Sequence, residues 1–195
     1  LEFLLYHTIP RIDTNPTAHD LLDYYGTLAN VLEAPIEELQ KNGLTFNSAV
    51  LLHAIPSLAR YYEQSRYREK VPLYDTDSMV AYCRSLFIGH TEELFYLICL
   101  NAQNKVNHAA LVSRGTLTEV PVYPRKAVDL ALRYQAVNVI LAHNHPGFGT
   151  APSHSDMSIT RQLRDVLNGI SVHVLDHIII CGNRYFSYAE KDLLF

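Results

Sequence analysis

The sequence predicts an α+β chain: a small all-helical N-terminal domain, residues 1–71, followed by a three-layer α/β domain with a mixed sheet, residues 72–195. Three observations predict it. Up to Tyr62 the apolar residues recur at helical spacing in short runs broken by turn residues. Beyond Pro72, continuous apolar runs that read as strands and hairpins alternate with helical patterns. Between the two, Glu63-Gln-Ser-Arg66-Tyr-Arg68-Glu-Lys70-Val-Pro72 is polar and ends in proline, which suits a linker.

In the first domain, Leu1 to His7 reads as the end of an amphipathic helix and Ile9-Pro10-Arg11-Ile12-Asp13 as a turn. Thr17 is the expected cap of a short helix through Leu21, Leu22 and Tyr25, ended by Gly26. Short helices follow over Leu28–Leu32 and Ile36–Gln40. A longer one is expected from Asn47 or Ser48 through Leu51, Leu52, Leu58 and Tyr62, with Pro56 kinking or breaking it.

In the second domain, Thr76 or Asp77 caps a helix through Val80, Cys83 and Phe87 to about His90. Leu94–Leu100 is a strand, Asn101–Asn104 a hairpin turn, Lys105–Val112 the return strand and Val120–Val122 a short edge strand. Pro124 or Arg125 opens a helix through Val128, Leu130 and Leu132, leading into a strand at Val137–Ala142. After a further helix, strands at His173–Cys181 and Tyr185–Ser187 flank a turn at Gly182-Asn183.

The chemistry concentrates where the Val137–Ala142 strand ends. His143 and His145 follow it, and residues two apart in a strand point to one face, so both imidazoles can reach one point. Pro146, Gly147 and Gly149 open a loop, after which Ser153 is the expected N-cap of a helix through Ile159, Leu163, Val166 and Leu167, with Asp156 three residues beyond the cap. The loop thus folds a carboxylate back toward two histidines. Two neutral imidazoles and a carboxylate suit a catalytic zinc, whose fourth position stays with water, whereas a structural site needs a fourth protein ligand and no C-x-x-C is present. The plainer reading of the same residues is a pair of surface or core histidines ahead of an ordinary capping box.

Composition narrows the function classes. The net charge of −4 contains no basic block, with six Lys/Arg against nine Asp/Glu in residues 1–70 and ten against eleven in residues 71–195, so a strong electrostatic footprint for nucleic acid is missing. No apolar run is long enough to span a membrane. Cys83, Cys99 and Cys181, odd in number and in apolar surroundings, read as buried thiols of a reducing compartment. With no signal peptide and no initial Met, the chain is expected to be a fragment of a longer cytosolic protein.

His-x-His followed by seven residues and Ser-x-x-Asp, at His143, His145, Ser153 and Asp156, resembles the JAMM (MPN+) metalloprotease signature. His143-Asn144-His145-Pro146 together with Leu175-Asp176-His177-Ile-Ile-Ile180 resembles the bacterial RadC family in particular, over nearly the whole chain. The resemblance implies a deaminase-like fold and one zinc ion held by His143, His145 and Asp156. It also implies a glutamate just before the opening strand that handles the proton of the attacking water. Chemistry alone does not separate Glu92 from Glu93; the family's placement before an apolar-aromatic pair, here Leu94-Phe95, favours Glu93. Ser153 stands where the family keeps a serine, either donating to an oxyanion, worth roughly 3 kcal/mol, or capping the helix alone.

His177 reads as a group behind the ligands or a core residue of a buried strand rather than a ligand, His154 and His173 as surface residues, and Arg125 as facing either a substrate carboxylate or a helix end. Phe148 replaces the family's usual loop composition with an aromatic, at unchanged loop length.

The helical region resembles the degenerate helix-hairpin-helix module found in front of the catalytic domain in this family. It keeps Gly43, Leu44 and Ala49 but places Thr45 where the second glycine belongs, and a β-branched residue resists the positive φ that lets backbone amides approach a phosphate. A structural or protein-contacting role is therefore preferred there over DNA binding. The leading expectation is a zinc-dependent hydrolase of an amide or isopeptide bond in a peptide or protein conjugate. A DNA-repair-associated accessory protein and a catalytically silent scaffold are its rivals, with homo-oligomerisation left open. Zinc deaminases are disfavoured because H-x-E and P-C-x-x-C are absent.

Overall fold

Thirteen elements carry the fold of the described residues, 1–9, 13–68, 71–115, 122–147 and 149–194, in a computed structural model of the chain. Helices α1 (Glu2–Tyr6), α2 (Asn15–Tyr25), α3 (Leu28–Glu33), α4 (Ile36–Lys41) and α5 (Phe46–Arg68) come first. Then follow α6 (Thr76–Phe87), β1 (Leu94–Leu100), β2 (Val106–Arg114), α7 (Pro124–Arg133), β3 (Asn138–Asn144), α8 (His154–Asn168), β4 (His173–Cys181) and β5 (Arg184–Ser187). The chain forms two compact units, Leu1–Glu63 with Ile88–His90, and Gln64–Phe87 with Thr91–Phe195. No described helix is long and apolar enough to cross a membrane.

The first unit buries Leu5, Leu21, Val31, Leu39 and Leu52, one from each helix, together with Leu44 of the α4–α5 connection. Gly26 ends α2 at φ +78°, as its sequence position predicts. Two helix starts differ from expectation. α2 begins at Asn15 rather than after Thr17, because Pro16 is already suited to a first turn and the Asp13 carboxylate accepts the Asn15 amide at 3.0 Å. α5 begins at Phe46 with Thr45 as its cap, the Thr45 hydroxyl accepting the Ser48 amide at 3.2 Å. α5 also runs through Pro56 without a break and takes in Glu63–Arg68 of the expected linker. A proline forfeits one main-chain bond but does not stop a helix held on both sides, and Glu, Gln and Arg extend a formed helix without a new nucleation cost.

In the second unit the strand order is β2-β1-β3-β4-β5, with β3 and β4 parallel and the other pairs antiparallel. Alternation along the central strands builds two cores. Phe95, Leu97 and Cys99 of β1 join Val139 and Leu141 of β3 on the face covered by α7 and α8, through Ala127, Ala131, Ile159, Leu163 and Leu167. Leu94, Ile98 and Leu100 join Ile140 and Ala142 on the face covered by α6, through Val80, Cys83 and Leu86. The result is the expected three-layer arrangement around a mixed sheet. β3 and β4 are buried on both faces, which is why they appear in the sequence as continuous apolar runs.

The remaining differences are local. α6 starts at Thr76 with Asp75 as its cap, accepting the Ser78 amide at 2.7 Å, and stops at Phe87, two residues before Gly89 adopts φ +72°. The 101–104 hairpin closes as expected, with Asn104 at φ +55°. Pro10 to Ile12 of the expected turn, and Val120 and Pro121 of the expected edge strand, lie outside the described residues. All three cysteines are free; Cys83 and Cys99 are buried, and burial pushes the Cys99 thiol up to about 12.

Candidate metal centre

β3 carries His143 near its C-terminal end on the α8 face of the sheet, where the side chain is fully buried. His145, just past the strand, points the same way, and the two Nε2 atoms stand 2.8 Å apart. The carboxylate reaches them from the first turn of α8. Ser153 and Asp156 form a reciprocal capping box: the Ser153 hydroxyl accepts the Asp156 amide at 3.1 Å, and Asp156 Oδ2 accepts the Ser153 amide at 2.7 Å. The same buried carboxylate places Oδ1 at 3.3 Å from His143 Nε2 and Oδ2 at 3.6 Å from His145 Nε2. One residue thus serves as helix cap and as third member of the cluster.

Glu93 supplies a fourth group, the second carboxylate, and its donor atom and those of His143, His145 and Asp156 all lie within 4.8 Å of one another. The neighbouring Glu92 is turned to Arg114 at 2.6 Å, in an exposed ion pair outside the cluster. What separates the two glutamates is the side chain of Asn144. Its Oδ1 accepts the Leu94 amide at 2.8 Å and its Nδ2 donates to the Glu92 carbonyl at 2.9 Å, so it grips the backbone on both sides of Glu93. The Glu93 carbonyl in turn accepts the Gly115 amide at 2.8 Å.

The electrostatics of the cluster suit a cation. Burial pushes the His143 pKa down, against the pull of Asp156. Hydrogen bonding to Asp156 pushes that of His145 up, against its partial burial. Burial opposes ionisation of Asp156, but the two imidazoles and the Ser153 amide overcome it and hold the carboxyl well below the usual carboxylate range. His145 Nδ1 donates to the Gly149 carbonyl at 2.9 Å, so its Nε2 is the atom offered to the cluster. Ligands about 2.0–2.2 Å from a tetrahedral ion stand roughly 3.3–3.6 Å apart. The two imidazole–carboxylate separations, 3.3 and 3.6 Å, match that range and the imidazole pair, at 2.8 Å, is tighter, so the set is of a size to hold one metal ion once the two rings part by about half an ångström.

Behind His143 the packing is polar where a core would ordinarily be apolar. His143 Nδ1 meets His177 Nε2 at 2.8 Å, and His177 Nδ1 meets the Thr160 hydroxyl at 2.6 Å. Phe95 stacks on His143 and Tyr188 on His177, with ring centroids 5.8 and 4.7 Å apart. Of the other residues singled out in the sequence, Ser153, His154, His173 and Arg125 are exposed, while Phe148 lies outside the described residues. The sequence assigns no role to Thr160, nor to Asn144 beyond its place in the His143–Pro146 run. Thr160 carries a signal in hindsight, since it sits one helical turn after Asp156 on the same face of α8; Asn144 carries none beyond lying between the two histidines.

An α/β domain whose central strand delivers two histidines, met by an aspartate from a helix cap and a glutamate from the adjacent strand start, defines a class of protein able to bind a metal ion at one sheet end. The profile of the RadC-like JAB domain matches residues 73–193, and this chain belongs to that family. It is 36% identical over 205 aligned residues to a UPF0758 protein of Fusobacterium nucleatum, covering 100% of this chain and 87% of the relative. It is 38% identical over 181 residues to a UPF0758 protein of Variovorax paradoxus, covering 91% of this chain and 80% of the relative.

Proposed function

We propose that the protein is a zinc-dependent hydrolase of the JAMM type that cleaves an amide or isopeptide bond in a peptide or protein conjugate. The single observation that carries this reading is the convergence of His143 Nε2, His145 Nε2 and the Asp156 carboxylate on one point with the Glu93 carboxylate close by. Family membership supports it. Zinc held by His143, His145 and Asp156 would supply a Lewis acid that lowers the pKa of its water to near 7.

The chain's own groups account for the rest. Glu93 takes the proton of the attacking water as the oxygen adds to the carbonyl carbon, and returns it to the nitrogen as the C–N bond breaks. The Asn144 grip on residues 92 and 94 keeps that carboxylate at its station. Ser153 uses its oxygen lone pair for the Asp156 amide, which leaves its O–H to donate to the oxyanion.

The test is a peptide and isopeptide library digested by wild type and by Glu93→Gln, with and without chelator. Hydrolysis that needs both the metal and Glu93 supports the reading. Equal turnover by wild type and Glu93→Gln overturns it. Salt-sensitive binding to branched or single-stranded DNA with no hydrolysis would favour an accessory role instead.

A further inference from the structure

We propose that Thr160 and His177 are positioning residues that keep the proton of His143 on Nδ1, so that its Nε2 always meets the metal as a bare lone pair. The proposal deepens the metal reading above and rests on it for its purpose, but not for its geometry. Thr160 Oγ1 lies 2.5 Å from the Asp156 main-chain carbonyl, and at that separation two oxygens need a hydrogen between them. Only the hydroxyl has one to give. With its hydrogen committed there, Thr160 meets His177 Nδ1, 2.6 Å away, as an acceptor, so Nδ1 of His177 carries a proton.

His177 is fully buried, its two ring nitrogens meet the Thr160 hydroxyl and His143, Tyr188 stacks on it and Phe95 packs in a T-shaped contact, and no carboxylate hydrogen-bonds to its ring among the described residues, so it is neutral and has no second proton. Its Nε2 therefore accepts, and the 2.8 Å contact to His143 Nδ1 must be filled by the His143 proton. Each link leaves one choice for the next. The chain ends on Nε2 of His143, which has no hydrogen of its own: in the metal-free protein the hydrogen of the 2.8 Å contact to His145 Nε2 belongs to His145, and a bound ion takes its place. It begins on the backbone of Asp156, so one ligand's main chain sets the tautomer of another.

Thr160→Val keeps the shape and removes the hydroxyl. His177 then has no acceptor for Nδ1–H and turns its proton to Nε2, which donates to His143 Nδ1 and moves the His143 proton onto Nε2. Ring nitrogen-15 shifts of the metal-free protein read the tautomer directly, and competition with a chelating dye reads zinc affinity. Wild type and Thr160→Ser are expected to show His143 protonated on Nδ1. Thr160→Val is expected to show it on Nε2, with zinc bound about 10–100-fold more weakly.

Finding the His143 proton on Nε2 in wild type overturns the proposal without any variant, as does an unchanged tautomer or unchanged zinc affinity in Thr160→Val. If wild type shows the expected tautomer but binds no zinc, the hydrolase reading fails while the relay stands.

Discussion

At the scale of single residues, Ser153 and His177 carry the sharpest expectations. Ser153 has a capping duty that is plain in its bonds and a catalytic one that is proposed, and the two separate by substitution. Ser153→Ala should cost about 1 kcal/mol of stability, whereas Ser153→Gly should cost only a few tenths, because glycine is a tolerable cap. Both should lower hydrolysis by about a hundredfold if the hydroxyl serves the oxyanion. Full activity in the glycine variant would reduce Ser153 to a cap.

Burial lowers the pKa of His143 and, more strongly, of His177 below the ordinary value of 6.5. Between the folded and unfolded values the unfolded chain binds more protons, so their contribution to stability is full above about pH 6.5 and is lost as pH falls through the folded values. His145, raised by Asp156, acts in the opposite sense: its contribution is present below pH 6.5 and fades as pH rises through its folded value. With two groups against one, the urea midpoint of the metal-free protein should fall between about pH 7.5 and 5.5. The slope should flatten in His177→Gln; an unchanged slope would mean that His177 is not held neutral.

At the scale of elements, the site depends on three termini: the end of β3, the start of α8 and the residues before β1. The clustering of His143, His145 and Asp156 was legible in the sequence because strand alternation and a capping box are local rules, and both hold at His143, His145, Ser153 and Asp156. The choice of Glu93 over Glu92 rested on family likeness, because it depends on Asn144 reaching from β3 to a segment fifty residues away. No local pattern announces such a clamp. The start of α5 fell one or two residues from its expected place although the Thr45 cap is a local bond, and the helix continues through Pro56, where the proline alone implies a kink or break.

Asn144→Leu tests the clamp. It strands the Leu94 amide and the Glu92 carbonyl, each costing about 1–3 kcal/mol if they stay buried. Turnover should drop by at least tenfold while zinc affinity stays within a few-fold of wild type, because no ligand is touched. Equal losses in both would mean that Asn144 supports the whole corner and not Glu93 in particular.

At the scale of the whole molecule, the sheet is the device that makes the site possible. Its alternation sends the histidines toward α8 and Asn144 toward the other face, so one tripeptide serves both the candidate metal cluster and the backbone around Glu93. The helical unit contributes a hairpin in which Gly43 takes φ +90° and Thr45 is spent on capping α5. Together with a net charge of −4 and no basic block, this predicts no salt-sensitive affinity for branched or single-stranded DNA, as fluorescence anisotropy would show. The direct measurement of the central claim is zinc stoichiometry of the metal-free chain by calorimetric titration. Wild type and Glu93→Gln should each take up one ion per chain, and His145→Ala and Asp156→Ala should lose tight binding; wild type without a tight ion, or Asp156→Ala binding as wild type does, would contradict it.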